Sequence, residues 1–560
     1  MFTLTVRIFT TQDHMRWQAP ILILILCGCT SPSNPQPEST IESHEDLVRF
    51  FMDWREFVAP NVIDGIPDYS SEAMAQQYTA LESWRTQLEN ADTTGWPVSE
   101  QIDWYLVWIE INGLDFAHRV KQPWRRDPAF YVWFYPSPTD VPEREAPNIH
   151  GAIELPKYTQ PLSNDDAADL AARLERAAPL FEQAKINLTG EAHDLWRTGE
   201  RSIRSQSRAL EALAEREQDS HPDLATAALD ARNASEDFAD WIAERSGTKK
   251  GISGVGKENY TWNLRNVHLL PYSWEDQVLL MQRELDRAHS ALRLEEHRNR
   301  DLPRLTKIQV PEEYDRQFNA AVDEYVAFLQ EDEILPIKEY IEPALRARVN
   351  SFTPSEGLRG FFSEITYRDP LVMRTHDYHW IDLARLREEP HSSVIREGPL
   401  LYNAFDSRAE GMATGMEEMM MHAGLFDDKP RTRELIWVLL AQRAARGLGG
   451  LYQHGHEMSL DEAATFASKW TPWDLLPADG NTIQGEEQFY LRQPSYGTSY
   501  VIGKLVVERL IAEYARQRDG EFVLSEFMDE FNASGIIPMS LIYWEMTGDR
   551  SLLDQALSGE

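Results

Sequence analysis

The stretch HEDLVRFFMDWREFV, residues 44–58, shows the pattern that decides the fold. Its large apolar side chains recur every three or four residues, which places them on one face of an α-helix: Leu47, Phe50, Phe51, Trp54 and Phe57. The same period returns along the chain, in residues 97–112, 166–186, 195–244, 274–298, 312–333, 382–388, 406–424, 431–448, 459–469, 498–517 and 521–533. We therefore predict an all-α protein, mainly helical, with short extended pieces only at 129–135 and 148–156.

The long polar run 195–244 is interrupted once, at SHPD (220–223). Because proline does not continue a helix, the run predicts an exposed hairpin of two helices. A looser division falls near residue 250, between an N-terminal helical half, residues 43–250, and a C-terminal helical half, residues 251–560, which carries the chemical motifs. The chain has 560 residues, 42% of them hydrophobic, and we expect both halves to share one core.

The composition of the chain argues against several classes of binding partner and of chemical site. The chain has 91 acidic against 55 basic residues, a net charge of −36, which argues against binding to nucleic acid or to an anionic membrane surface. Its two cysteines both lie within the first thirty residues. The rest of the chain therefore offers no disulfide, no cysteine nucleophile and no thiolate ligand for a metal.

The N-terminal stretch MRWQAPILILILCGCTSPSNPQPEST (15–40) resembles an export signal. A basic start precedes the apolar run Ile21–Leu26, which is too short to span a bilayer stably. LCGC then resembles the box that lipoprotein signal peptidases cleave. We predict a lipoprotein signal peptide at 1–29, with Cys29 as the acylated first residue of the mature chain, and a Pro/Ser-rich tether at 30–42.

This assignment places the protein in the cell envelope, on the periplasmic or extracytoplasmic face, where it touches the membrane through the lipid anchor only. A plain secretory signal is the alternative, and Met15 competes with Met1 as the start of translation. Thr30 leaves open whether the anchor lies in the inner or the outer membrane.

Residues 375–380, THDYHW, supply the first candidate metal ligands. On one helix, residues three apart lie side by side, so His376 and His379 could bind one ion. Asp377 lies between them and could support a ligand or activate water. The ordinary alternative is a histidine pair that only forms hydrogen bonds at a packed surface.

A candidate third ligand, the carboxylate of Glu410, lies on the helix predicted from SRAEGMATGMEEMMMHAGLFDDKP, residues 407–430. Glu410 fits the third ligand of a His-His-Glu zinc site that keeps one position open. The same helix carries Glu417, so a dinuclear site built from Glu410, Glu417 and the histidines is a second possibility, since such sites combine carboxylates and histidines on facing helices.

Two later stretches could contact a substrate. In AQRAARGLGGLYQHGHEMSLDEAATF (441–466), His454 could line a cleft, although an exposed loop histidine is an equal alternative. In YLRQPSYGTSYVIGKLVVERL (490–510), Arg492 could grip a carboxylate with two hydrogen bonds. Tyr496 or Tyr500 could donate a hydrogen bond to an oxyanion.

In this order the motifs resemble the bacterial family catalogued as domain of unknown function 885, whose members are often predicted lipoproteins. The resemblance runs from about residues 255–288 to 527–549, roughly half the chain. It implies an almost all-α fold, similar to that of gluzincin metallopeptidases, around a deep central cleft. The matched positions are Glu410 for the glutamate ligand, Arg446 and His454 for an Arg…His segment, and Pro494, Tyr500 and Gly503 for a Pro…Tyr-x-x-Gly segment.

The chain departs from the family at the opening motif, His-Glu followed after a short turn by His-His. His379 matches the first histidine of the later pair, but Met373 and Arg374 stand where the family has its first histidine and its glutamate. We infer from proximity that His376 replaces the lost ligand and that Asp377 replaces the lost base.

Three hypotheses follow. The first is a zinc-dependent peptidase or hydrolase whose ligands are His376, His379 and Glu410 and whose base is Asp377 or a nearby glutamate. Its oxyanion donors are Tyr500 and His454, and its anchor for a substrate carboxylate is Arg492 or Arg446. The second is a non-catalytic binding or scaffolding lipoprotein, a degenerate member that keeps the helical cleft without an efficient metal site. The third is the dinuclear carboxylate protein. In the first, the partner is a peptide or a small-molecule substrate.

Overall fold

The computed structural model describes residues 40–349, 351–355 and 357–559. The predicted signal peptide, Cys29 and most of the predicted tether lie outside these residues. All the described residues belong to one compact unit, Gln36–Glu560. The division near residue 250 stays a prediction.

The described chain is mainly helical, which confirms the all-α prediction. The helices before residue 250 are α1 (His44–Val58), α2 (Ser71–Glu89), α3 (Val98–Phe116), α4 (Pro123–Arg126), α5 (Asn164–Leu174), α6 (Ala177–Asn187), α7 (His193–Glu217) and α8 (Pro222–Ser246). Those that follow are α9 (Lys257–Asn266), α10 (Trp274–Arg298), α11 (Pro311–Glu331), α12 (Ile341–Arg346), α13 (Phe361–Thr366), α14 (Pro370–His376), α15 (Tyr378–Glu388), α16 (Val394–Glu397), α17 (Asp406–Ala423), α18 (Thr432–His454), α19 (Leu460–Trp470), α20 (Asn481–Arg492), α21 (Tyr496–Gln517), α22 (Leu524–Ala533), α23 (Met539–Thr547) and α24 (Ser551–Ser558).

Strands are few and short. Within the described ranges they are β1 (Val62–Ile63), antiparallel to β2 (Ile66–Pro67), and β3 (Phe134–Tyr135), parallel to β4 (Ile153–Glu154). Both extended pieces expected from the sequence therefore contribute one strand to a single parallel pair. None of the helices in the described ranges combines the length and hydrophobicity that crossing a bilayer requires.

Local signals in the sequence set several of these elements. All five apolar side chains predicted on one face of α1 are buried, and the Ser43 side chain accepts a hydrogen bond from the Asp46 amide at the start of the helix. The break predicted at SHPD separates α7 from α8, which begins with Pro222. Ser459 and Glu462 form a reciprocal capping box at the start of α19.

Apolar side chains form two main cores. The larger core collects α1–α3 together with α9 and α10 and most of the later helices. The second core lies between β3, β4 and helices α5–α8. The elements that carry the metal-site candidates, α14, α15, α17, α18 and α21, pack around the larger core.

The contact of α17 with α21 positions the candidate site. Gly411 on α17 and Gly503 on α21 face each other, and a Cβ atom at Gly503 would overlap the carbonyl oxygen of Ser407. Two glycines therefore let the two backbones touch. Because of this approach, side chains near the start of α21 reach Glu410 on α17.

Candidate metal centre

The three side chains proposed as ligands converge. His376 ends α14, His379 is the second residue of α15, and Glu410 lies in the second turn of α17. One ligand atom from each lies within 4.8 Å of the other two. His379 Nε2 is 3.1 Å from Glu410 Oε2. Two ligands of a tetrahedral zinc ion, each bonded at about 2.1 Å, are about 3.4 Å apart, so the donor set and its spacing fit one ion.

The expectation that both histidines lie on one helix is wrong. The helix breaks at Asp377, whose amide donates to the Met373 carbonyl at 3.0 Å, while the Trp380 amide donates to the Asp377 carbonyl at 2.9 Å. The second bond spans only three residues, which tightens the turn between α14 and α15. The two imidazole rings meet edge to face, with centroids 5.0 Å apart and planes at 83°.

Glu410 is held through both carboxylate oxygens. His379 contacts Oε2, and the Tyr496 hydroxyl donates to Oε1 at 2.8 Å. The Tyr500 hydroxyl in turn donates to the Tyr496 hydroxyl at 3.0 Å. The two tyrosines lie one turn apart on α21, so this chain of hydrogen bonds fixes the carboxylate in one orientation.

A second carboxylate supports His376. Its Nδ1 atom lies 3.2 Å from Glu417 Oε1 and 3.2 Å from Arg443 Nη2, while Arg443 donates to both Glu417 oxygens at 2.7 Å. Nδ1 could accept from the arginine or donate to the carboxylate. A metal ion on Nε2 requires the proton on Nδ1, where Glu417 accepts it, an arrangement common around metal-binding histidines.

This pairing bears on the dinuclear alternative. Both oxygens of Glu417 are engaged by Arg443 in a fully buried ion pair. A carboxylate bound bidentately by an arginine has little capacity left for a second cation, and the guanidinium would repel that cation. The geometry therefore favours one ion over two.

The charges of the three ligands differ. Burial by itself would raise the pKa of Glu410, but the neighbouring imidazolium of His379 holds it well below its usual range. Burial opposes the charged form of His379 as well, yet the Glu410 charge raises the pKa of this imidazole. Burial and the Arg443 charge lower the pKa of His376, and the neutral imidazole they favour is the form that binds metals.

Two solved structures share this fold. A "putative lipoprotein of unknown function" from Shewanella oneidensis matches with a TM-score of 0.65, over 90% of this chain and 99% of that chain, at 14% identity. A "putative lipoprotein" from Colwellia psychrerythraea matches with a TM-score of 0.61, over 92% and 100% of the two chains, at 13% identity. No family model and no curated protein matches the sequence. At these identities the likeness establishes the fold alone, and the family suggested by the motifs stays a prediction.

Asp377, expected as the base, lies outside the ligand cluster. Its Oδ2 atom is 2.7 Å from Arg374 Nη1, which forms a buried ion pair within the turn between α14 and α15. Burial raises the pKa of Asp377 to about 6, against the opposing charge of Arg374. The charge of Arg374 is thus neutralised by this aspartate, and its guanidinium also lies 5.5 Å from the Phe318 ring.

His454 and Arg492 are bound within the protein. His454 Nε2 donates to the Tyr490 carbonyl at 2.8 Å, and Nδ1 accepts from the Val255 amide at 3.4 Å, so neither ring nitrogen is left for a substrate. Burial lowers the pKa of His454 to about 4, which keeps the ring neutral. Arg492 Nε donates to Asp127 at 2.5 Å, and its Nη2 donates to a backbone carbonyl.

Arg446, unlike Arg492, is a candidate for binding an anion from outside the protein. It is 1% exposed, pairs with Glu486 and lies 4.4 Å over the Tyr500 ring. Its Nε and Nη2 atoms have no hydrogen-bond partner among the described residues. Buried donors of a charged group rarely stay unpaired, so these two N–H groups are available to an anion that enters beside Tyr500.

The Glu417–Arg443 pair was not expected as support for His376. Its members lie on α17 and α18, 26 residues apart, and neither stands in a recognisable motif. The signal that could have found them is a carboxylate two turns after Glu410, on the helix face that carries the ligand. Tyr496 makes the direct hydrogen bond to Glu410, whereas the zinc-hydrolase hypothesis from the sequence named Tyr500.

Proposed function

We propose that the protein is a lipid-anchored, zinc-dependent hydrolase of the cell envelope that cleaves peptides. The observation that carries the proposal is the convergence of His376, His379 and Glu410 within 4.8 Å. The export signal that ends at Cys29, together with the descriptions of both structural neighbours, supports the lipid anchor.

A zinc ion held by these three side chains would supply Lewis acidity toward a scissile carbonyl. The chain's own residues would do the rest. Glu417 keeps the proton of His376 on Nδ1, so that Nε2 stays free for the ion. Tyr496 holds Glu410 and, on rotating its hydroxyl, can donate to the oxyanion that forms on the substrate carbonyl.

Arg446 supplies the substrate anchor in this proposal. Its unpaired N–H groups can bind a carboxylate, and its ring partner Tyr500 connects through Tyr496 to the ligand Glu410. A peptide gripped by its terminal carboxylate would present a bond near its C-terminus to the metal centre. We therefore expect Arg446→Gln to raise KM about tenfold or more for peptides with a free C-terminus and to leave amidated peptides unaffected.

Elemental analysis of the purified protein tests the metal centre. We expect about one zinc ion per chain in the wild type, and loss of that zinc in His379→Ala and Glu410→Gln. His422→Ala is the matched control, because His422 lies on the same helix as Glu410, with its side chain 69% exposed, outside the cluster. Retention of zinc in both ligand variants would refute the site.

Activity and anchoring are tested separately. Peptide cleavage should disappear with a chelator and return with added zinc. A metal-free, inactive wild type would favour the non-catalytic binding protein, and two ions per chain would favour the dinuclear site. Membrane fractionation of Cys29→Ser, which we expect in the soluble fraction, tests the lipid anchor.

A further inference from the structure

A loop from the N-terminal part of the chain reaches the metal centre. This strap, residues 136–148, forms most of the connection from β3 to β4. The Ala146 amide donates to Gln493 Oε1, and Arg492 Nη2 donates to the Pro147 carbonyl at 2.8 Å. These contacts tie the strap to the turn between α20 and α21, next to the tyrosine that holds Glu410.

One side chain connects the strap to the ligand helix. The Nε2 atom of Gln493, whose Oε1 accepts from Ala146, donates to Asp406 Oδ2 at 2.6 Å. Asp406 lies four residues before Glu410 on α17, so both carboxylates point from the same face of that helix. Glu145, the residue before Ala146, therefore lies in the part of the strap that is tied to α17, the helix that carries Glu410.

Electrostatics agree with this placement. Burial raises the pKa of Glu145 to about 7, and the charges of Asp140 and Glu410 add to the effect. The same carboxylate contributes to the raised pKa of Asp406, after burial and the charge of Glu410. Thr139 Oγ1 donates to Glu145 Oε2 at 3.2 Å, which restrains the carboxylate within the strap.

Hydrolysis at the metal centre needs a side chain that transfers protons. Hydrolysis of an amide requires a base that takes a proton from the attacking water and an acid that gives one to the leaving amine. Arg374 stands at the position of the family's glutamate, and Asp377 is paired with that arginine. Asp382, the buried carboxylate of α15, is paired with Arg408, so neither of these two aspartates is free for the task.

We propose that Glu145 is the proton-transferring catalytic residue of this site, contributed by the strap. The inference rests on the proposed hydrolase function. As the water oxygen bonds to the carbonyl carbon, one water proton passes to the Glu145 carboxylate. When the carbon–nitrogen bond breaks, that proton passes to the leaving nitrogen, so that peptide and water yield one carboxylic acid and one amine.

The test compares Glu145→Gln with Glu143→Gln in the full chain. Glu143 is exposed on the same strap and provides the matched control. We expect Glu145→Gln to keep the zinc content of the wild type, to bind uncleaved peptide with a Kd close to the wild-type KM, and to lose about 10²–10⁴-fold in kcat. Glu143→Gln should keep kcat within about twofold of the wild type.

The variant Glu145→Asp distinguishes loss of the carboxylate from a folding defect. It keeps a carboxylate on a side chain one carbon shorter and should recover part of the kcat lost in Glu145→Gln. Wild-type kcat in Glu145→Gln would overturn the assignment, as would a raised KM with unchanged kcat, which marks a binding group, or a larger loss of kcat in Asp140→Asn. In each of these cases the hydrolase proposal stands; a wild type without zinc or cleavage overturns both.

Discussion

The substitution Gly503→Ala tests the helix contact on which the site depends. In the present packing, a Cβ atom at Gly503 would overlap the Ser407 carbonyl oxygen and lie 2.7 Å from the Cα atom of Gly411. Both are backbone atoms, so no side-chain rotation relieves the overlap. Helices α17 and α21 must separate to admit the methyl group.

The expected magnitude follows from two opposing effects. Overpacking of a close contact costs about 1–3 kcal/mol, and a double overlap with backbone belongs at the upper end, near ~3 kcal/mol. Alanine is favoured over glycine inside a helix by about 1 kcal/mol. We therefore expect the free energy of unfolding to fall by about 2 kcal/mol. The separation would also stretch the Tyr496–Glu410 hydrogen bond, now 2.8 Å long, and weaken zinc retention.

Urea unfolding followed by far-ultraviolet circular dichroism measures the change. Gly415→Ala is the control, because a Cβ atom there would lie 3.9 Å from Val507 Cγ1, an ordinary contact. This control should gain up to about 1 kcal/mol from helix propensity. If Gly503→Ala unfolds at the same urea concentration as the wild type or at a higher one, or if Gly415→Ala is the less stable variant, the close approach does not determine the packing.

Two further predictions concern buried charges. Arg443→Met should lower the free energy of unfolding by about 3–5 kcal/mol, because it leaves Glu417 buried without its partner; the double variant with Glu417→Gln should recover part of the loss in the same urea titration. His44 Nε2 lies 2.8 Å from Asp103 Oδ2, and this hydrogen bond raises the pKa of His44 above 6.5. Its stabilisation is complete below pH 6.5 and disappears as the pH rises through the raised pKa of His44, so His44→Gln should flatten the stability profile above pH 6.5.

The parts of the fold that the sequence predicted depend on neighbouring residues. The buried face of α1 follows from a period within 15 residues, and the end of α7 follows from one proline at position 222. The capping box at Ser459 needs only its partner three residues later. Such signals are readable because the groups that interact are close in the chain.

The candidate metal site was predictable only in part, because some of its interacting groups are far apart in the chain. The three ligand residues stood in motifs, and the structure brings them together. The break at Asp377 could not be predicted from the sequence. Its hydrogen bond spans three residues in place of four, and this change does not alter the three-residue spacing of the histidines in the sequence. Glu145 lies 265 positions before Glu410, in a proline-flanked loop with no periodicity, and only the hydrogen bonds to the α20–α21 turn place it there.

Arg374, at the position where the motif resemblance predicts a glutamate, does not by itself decide between an active and an inactive centre. A cation close to the ligands would weaken metal binding, but Asp377 neutralises this one within the turn, and both members of the pair are buried. An arginine cannot supply a carboxylate base, but such a base need not lie on the ligand helix as long as it reaches the attacking water. The strap supplies a carboxylate from another part of the chain, so ligands and base depend on different contacts. Substitutions in the strap should therefore separate catalysis from metal binding, which substitutions in α14, α15 or α17 cannot do.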